Sequence, residues 1–588
     1  MNRRMVWAPS ASNVAMVTAN ERIEMRREER GWWRTELSTG LSRADYGFSL
    51  DGGPPLPDPR SPYQPHGVHG LSRPVDHSAF KWSDARWRQA PLSSAIIYEM
   101  HVGTFTPAGT FDAAIERLDY LRDLGVTHLE LMPIAEFSGA RGWGYDGVDL
   151  YAPHHSYGGP DAMKRFVDAA HRRGLGVILD VVYNHLGPEG GYLGKFGPYF
   201  TDSYRTPWGD AVNLDDRDSD EVRQFFCDNA KMWLRDYHVD GLRLDAVHTI
   251  FDASAIHFLE QLATQVRELE GEVGRSLIVI AESDLNLPRI VTPREAGGYG
   301  LDAQWNDDFH HALHTILTGE SAGYLADFGS IEQLAKSLAR GFVYDGTYSS
   351  SRRRRHGAPV AGLSAHRFIA FAQNHDQVGN RAMGERLGHL VTIDQLKIAA
   401  AILITAPFVP MLFQGEEWNA SSPFQYFTDH QDAELAETVR KGRKAEFAPL
   451  VADASDIPDP QAPQTFERSM LDWDERERRA HREILEWYRR LIGLRRCAPD
   501  FHGGRFDPDA VCFDEEARWL RVNRRESVVI CNFSAISQSV PVADASRLDI
   551  VLASRSGVRL DDTMIDLPPV SVAILMPKNR NPSTEVYE

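Results

Sequence analysis

Hydrophobic and polar positions along the chain fall into three textures. Over residues 1–85, short apolar runs alternate with turn residues. Met5-Val-Trp-Ala-Pro, Asn13-Val-Ala-Met-Val and Trp32-Trp-Arg-Thr-Glu read as short strands. Asp51-Gly-Gly marks a turn and residues 58–65 are rich in proline. This pattern predicts a small N-terminal β-sandwich followed by an extended linker. Over residues 86–498 the texture changes. Near-continuous apolar runs at 95–102, 126–132, 175–183, 241–247 and 277–281 alternate with stretches of helical period. Phe111, Ala114, Ile115, Leu118 and Leu121 share one helical face, which Gly125 ends. Residues 162–173, 221–237 and 253–269 read as further helices. Shorter apolar runs at 301–305, 368–372 and 409–413 bring the strand count to eight, and residues 475–496 form a charged amphipathic helix. Unalternating strands interleaved with helices imply a buried parallel sheet, and eight units imply a (β/α)8 TIM barrel. An open doubly wound sheet is the other option, but no Gly-rich phosphate turn follows the first strand. Residues 499–588 return to strand texture at 519–523, 527–533 and 570–575, predicting a C-terminal antiparallel β-domain.

Composition narrows the class. The 83 acidic residues outnumber the 64 basic ones, leaving a formal net charge of −19. Nucleic acids and anionic membranes need concentrated Lys and Arg, so neither is an expected partner. The only basic cluster, Arg352 to Arg355, reads as a solvated loop. Hydrophobic content of 42% and charged content of 25% exclude extended disorder. No stretch has the length of a membrane span. The N-terminus, Met1-Asn-Arg-Arg, lacks the apolar core of a signal peptide, and four scattered cysteines (Cys227, Cys497, Cys512, Cys531) give neither a disulfide framework nor a zinc ribbon. A cytoplasmic location is expected.

Barrel enzymes carry their chemistry at the C-terminal ends of the strands. Strand three ends Asp180-Val-Val-Tyr-Asn-His185. Strand four ends Arg243-Leu-Asp245-Ala-Val-His248. Strand five ends Ala281-Glu282, and strand seven ends Asn374-His375-Asp376. Charged groups in an apolar sheet are costly unless used or paired, and four in register point to function. Paired carboxylates are the equipment of glycoside hydrolysis. Asp245 lies two residues from Arg243, which favours an ionised nucleophile. Glu282 follows an apolar run with no neighbouring cation in sequence, which favours a protonated general acid. Asp376 beside His375 is placed to stabilise a charged transition state. The polar, Gly-rich residues 186–219 read as an excursion over the mouth.

These strings resemble the four signature segments of the α-amylase superfamily of glycoside hydrolases (family 13), in the family's order. The resemblance implies a retaining mechanism with Asp245 as nucleophile, Glu282 as acid/base and Asp376 as transition-state stabiliser. It further implies sugar contacts by Trp143, Tyr145, Asp146, Asp180, His185, Arg243, His248 and His375. The fuller strings Ala281-Glu282-Ser-Asp284-Leu-Asn286, Gln377-Val-Gly-Asn-Arg381 and Phe413-Gln-Gly-Glu-Glu417-Trp418 resemble the branch that cleaves the α-1,4 bond next to the terminal trehalose of maltooligosyl trehalose. They resemble less the glucan-branching transglycosylases, the alternative reading. Asp284, Asn286, Gln377, Arg381, Glu416, Glu417 and Trp418 become candidates for recognising the trehalose end. The resemblance implies no cofactor, and a substrate shared with a trehalose-forming synthase. On the helix carrying His310, His311 and His314, the i, i+4 pair His310/His314 could hold a metal but no third ligand is evident, and the position of Asn184 lacks identifiable partner acids, so no metal is expected.

Overall fold

A computed structural model describes residues 3–36, 43–451 and 453–580 of the chain; Met1 and Asn2 of the N-terminal string lie outside them. Eight parallel strands close into a barrel: β1 (Ile97–Met100), β2 (His128–Leu131), β3 (Gly176–Val181), β4 (Gly241–Leu244), β5 (Ile278–Ala281), β6 (Ala303–Trp305), β7 (Phe368–Phe371) and β8 (Val409–Phe413). β8 returns to β1 with Met411 opposite Ile97. Every residue of these strands is buried. One set of side chains, including Ile97, Ile178, Ile280, Trp305, Ile369 and Met411, fills the barrel; the alternate set, including Leu129, Leu179, Leu242 and Leu412, joins the larger core under the helices. Both faces are covered, which is why the strands show no alternation in sequence.

The helical shell departs from the sequence expectation at three places. The helix expected over 253–269 runs Phe258–Val273. Asp252 accepts from the amides of Ser254 (2.8 Å) and Phe258 (2.5 Å), so residues 253–257 form a side-chain-bonded turn instead of helix. The helix expected from Phe111 is broken at Arg117 into Phe111–Ile115 and Leu118–Leu124, with Gly125 (φ 98°) closing the second. The last barrel helix is Arg479–Cys497; residues expected in its first turn belong to a separate 3-10 turn, Trp473–Glu477, anchored by a 2.6 Å bond from Trp473 Nε1 to the Phe105 carbonyl.

Two three-stranded sheets make up the N-terminal region. They rest on the helix Ser219–Asp236: Trp32 Nε1 donates to Glu221 (3.1 Å), and Arg60 pairs with Asp228 (2.8 Å). A five-stranded and a three-stranded antiparallel sheet make up the C-terminal region. Its strand Ser527–Asn532 is buried on both faces: Val528 and Ile530 fill the space between the sheets, while Val529 and Cys531 join the barrel core. The excursion over 186–219 holds a hairpin, Phe200–Thr206 with Gly209–Val212, that presents Trp208. No helix among the described residues is long and apolar enough to cross a membrane.

Candidate active site

The ends of β3, β4, β5 and β7 open on a cavity of about 360 Å³. Trp143, Tyr145, Asp146, His185, Trp208, Asp245, His248, Glu282, Asp376 and Tyr426 line it. Below it lies Arg243, fully buried, whose guanidinium stacks 4.1 Å from the centre of the Trp305 ring. Its Nη1 reaches Asp180 Oδ2 (2.6 Å) and Asp245 Oδ1 (3.0 Å), and its Nη2 lies 2.9 Å from Glu282 Oε2. One cation therefore ties three strand-end carboxyls together. Asn184 donates to both the carbonyl (2.8 Å) and Oδ2 (2.7 Å) of Asp245, fixing its rotamer from the neighbouring strand. The Ala246 amide donates to Glu282 Oε2 at 2.6 Å. Ala246 sits at φ 41°, a left-handed turn that aims this amide into the site.

Glu282 does have a cationic neighbour, contrary to its sequence surroundings, because β4 and β5 are adjacent and Leu244 pairs with Ala281. Burial outweighs that neighbour, and the charges of Asp245 and Asp376 add to it, so the Glu282 carboxyl is held well above the ordinary glutamate range. The structure thus sets a carboxyl whose hold on its proton is strengthened by burial beside the Asp245 carboxyl, both within reach of Arg243, while Asp376, whose side chain is 39% exposed, lines the same cavity. Such a set can protonate a leaving oxygen while an opposing carboxylate faces the carbon.

A polar chain supports the floor. Glu99, on β1, accepts from His375 Nδ1 (2.5 Å) and from the His375 amide (3.0 Å). Burial opposes charge on His375, but Glu99 and Asp376 outweigh it and push its pKa up to about 9. His375 Nε2 lies 2.8 Å from Tyr145 Oη, and Tyr145 donates to Asp180 Oδ2 at 2.6 Å. Glu99 and Glu130 were not singled out from sequence, although each is a carboxyl inside an apolar strand, the same signal that marked Asp180. Burial and the Glu99 charge hold Glu130 well above the usual glutamate range. Trp208 gave no sequence signal; its ring, 49% exposed, stacks on His185 at 4.2 Å and 5°.

The remaining sequence candidates separate. Asp180, Arg243 and His375 lie under the cavity and touch its lining residues without lining it. Trp143 lines the cavity but is mostly buried, stacking on Phe424 (5.2 Å) and donating to the Gln425 carbonyl (3.0 Å). Glu417 and Trp418 are corrected outright: both are completely buried away from the mouth. Glu417 accepts from Tyr98 (3.1 Å) and Tyr120 (3.0 Å), and Trp418 packs on Trp473. Glu416 is likewise buried, bonded to Tyr488. The turn after β8 folds down into the helical shell, a direction the sequence does not show. Arg381 is committed to Glu320 at 2.8 Å and 2.9 Å.

A second cavity has a volume of about 340 Å³. Asp284, Asn286, Asp307, Tyr324, Tyr344 and Arg352 are among its walls. Gln377, the residue after Asp376, donates from Nε2 to Asp307 Oδ1 on this second wall at 3.4 Å. Burial, with the charges of Asp376, Asp308 and Asp284, pushes the Asp307 carboxyl up to about 7. Arg352, expected as plain solvated loop, pairs with Asp284 (3.0 Å). Asn286 is a wall element, donating to Asp308 (2.8 Å) from a left-handed backbone (φ 50°).

Comparison with known proteins follows the same lines. Residues 78–206 match the family model described as the alpha amylase catalytic domain, and residues 505–574 match a domain of unknown function, DUF3459. Malto-oligosyltrehalose trehalohydrolase of Rhizobium sp. (strain M-11) is 49% identical, with 97% of each chain covered. The protein of the same name from Arthrobacter ramosus is 54% identical over 85% of this chain and 88% of its own. The crystal structure of a putative alpha amylase from Salmonella typhimurium superposes with a TM-score of 0.89 at 37% identity, covering 98% of this chain and 97% of that one.

Proposed function

The chain belongs to the malto-oligosyltrehalose trehalohydrolase family, glycosidases of the α-amylase superfamily, and on that premise we propose that it hydrolyses the α-1,4-glucosidic bond next to the terminal trehalose of maltooligosyl trehalose, releasing trehalose. The observation that carries the reading is Arg243 bridging Asp180, Asp245 and Glu282 at the floor of one cavity, with burial holding the Glu282 carboxyl well above the ordinary glutamate range.

In this reading a carboxylate oxygen of Asp245 attacks the anomeric carbon. The bond to the glycosidic oxygen breaks, and that oxygen takes the Glu282 proton and leaves with trehalose. Glu282, now ionised, removes a proton from water; the water oxygen attacks the same carbon and frees Asp245. Asp376 faces the ring as positive charge develops. The Tyr145 ring, held by His375 and Asp180, and the Trp208–His185 stack form the platform for the sugar before the cleaved bond. The second cavity receives the trehalose, with Asp284 and Arg352 in reach of its hydroxyls. An acidic and aromatic wall suits a neutral disaccharide, whose hydroxyls donate to carboxylates while its ring faces stack. Four free cysteines suit a reducing cytoplasm, where a trehalose-forming synthase would supply the substrate.

The test compares products from maltotriosyltrehalose and maltopentaose by chromatography. Trehalose release from the first, much faster than maltose or glucose release from the second, is expected. Equal rates, or branched products, would overturn the proposal. Asp245→Ala should remove turnover on both substrates.

A further inference from the structure

We propose that Glu136, His154 and His155 form a binding site for one divalent transition-metal ion of the zinc class, at the base of the loop that carries Trp143 and Tyr145. Sequence separation hides this set, since residues 137–153 divide the glutamate from the histidine pair. The fold closes the gap. The two-residue strand Ala135–Glu136 pairs antiparallel with Asp149–Pro153, and the histidines follow directly. Backbone bonds from Val148 to Glu136 (2.9 Å) and from His154 to Ile134 (2.8 Å) hold the ends of residues 137–148 in place.

Among the described residues these three form the one group whose ligand atoms all lie within 4.8 Å of one another. His154 Nδ1 is 3.1 Å from Glu136 Oε2, and His155 Nδ1 is 2.6 Å from Glu136 Oε1. Two imidazole nitrogens and a carboxylate oxygen around zinc, with bonds of about 2.0–2.1 Å, would stand about 3.3 Å apart, so on binding the His154–Glu136 pair would open slightly and the closer His155–Glu136 pair by well over half an ångström. Glu136 and His154 are completely buried, while the His155 side chain is 30% exposed. An ion would enter from the His155 side, the only one of the three side chains with exposed surface.

The second, independent observation is His154 itself. Neither of its ring nitrogens has a hydrogen-bond partner, although both are buried. Nδ1 is close to the carboxylate but not in line with it, which is poor geometry for an N–H donor. A lone pair directed at a cation shared with that carboxylate would sit in this off-line position. Phe137 stacks on the ring at 3.8 Å and Tyr157 meets it edge-on at 4.9 Å, so it cannot turn away to find another partner. An unsatisfied buried polar group is costly, and a bound ion would give it a partner. His155 is oriented from its far side, where Ser156 Oγ lies 3.2 Å from Nε2, and its amide donates to Glu136 Oε2 at 2.8 Å. Nitrogen-rich ligands select zinc, cobalt or nickel over calcium or magnesium. The ion would clip together the two ends of the loop that bears the sugar platform.

The test uses the full chain, stripped with a chelator, incubated with Zn²⁺ and desalted. Inductively coupled plasma mass spectrometry should find one Zn²⁺ per chain. Zn²⁺ should raise the Tm in a concentration-dependent way, and Co²⁺ should give the visible spectrum of a tetrahedral nitrogen and oxygen site. His155→Ala removes the half-exposed ligand with least risk to the core, and should weaken Zn²⁺ binding at least about tenfold and abolish the Co²⁺ spectrum. Glu136→Gln should do the same. Failure to retain Zn²⁺, or equal retention by the unsubstituted chain and His155→Ala, would mean that the three side chains form only a glutamate–histidine hydrogen-bond cluster and would overturn the proposal.

Discussion

Replacing Glu99 by Gln tests the floor of the site without emptying it. Glu99 accepts two bonds from His375, one from Nδ1 and one from the backbone amide. A Gln side chain has a single acceptor oxygen. If that oxygen keeps the amide bond, its NH₂ faces Nδ1, which can then only accept, and His375 must be neutral. The substitution therefore exchanges a charged imidazolium for a neutral imidazole at nearly constant shape. In the native fold His375 holds its proton up to about pH 9, against an ordinary value of 6.5. That gap corresponds to about 3 kcal/mol of stabilisation. Because the folded pKa is raised, the contribution is whole below pH 6.5 and is lost as pH climbs through 9. At about 2.1 cal/mol/K of unfolding entropy per residue, it amounts to about 2–3 °C in Tm for a chain of this size. Differential scanning calorimetry of both proteins across pH 6–10 should show a gap that is widest at pH 6 and closes by that amount towards pH 10. The kcat/KM at pH 7 should also fall, since Tyr145 and Asp376 both face the lost charge. A gap of constant size across that range would refute the argument that Glu99 holds the proton on His375.

Three further outcomes follow from particular contacts. Glu282→Gln should lower kcat by about 10²–10⁴-fold in a steady-state assay, the usual worth of a positioned proton donor, and activity above a tenth of normal would contradict its role. Trp208→Ala removes the ring stacked on His185 and should raise KM by about threefold to tenfold with little change in kcat, checked with substrates of increasing length; unchanged KM would take Trp208 out of the platform. Trp418→Ala should cost about 3–5 kcal/mol of stability, read as a lower Tm, while KM of the folded fraction stays the same, because Trp418 is core and not cleft.

Local pattern was sufficient for the barrel. Each of the eight apolar runs became a strand of the closed sheet, because a strand buried on both faces must be apolar throughout, and that requirement is written residue by residue. The four strand-end carboxyls were legible for the converse reason: a charge in such a run is conspicuous. What sequence could not convey is which groups face one another across strands. Glu282 looked remote from any cation, yet β4 and β5 lie side by side and Arg243 reaches it at 2.9 Å. Glu417 and Trp418 followed a strand end and looked like cleft residues, but their turn packs inward on Tyr98, Tyr120 and Trp473. The charge of His375 depends on Glu99, 276 residues away on the strand that closes the barrel. Glu136 meets His154 and His155 only because the two-residue strand Ala135–Glu136 pairs with Asp149–Pro153, which the histidines follow. Periodicity reports burial along one segment, and so the sequence by itself determined the elements, their order and the residues placed at their ends. Charge states, orphaned nitrogens and shared ligands depend on distances between segments far apart in the chain, and those only the tertiary structure decided.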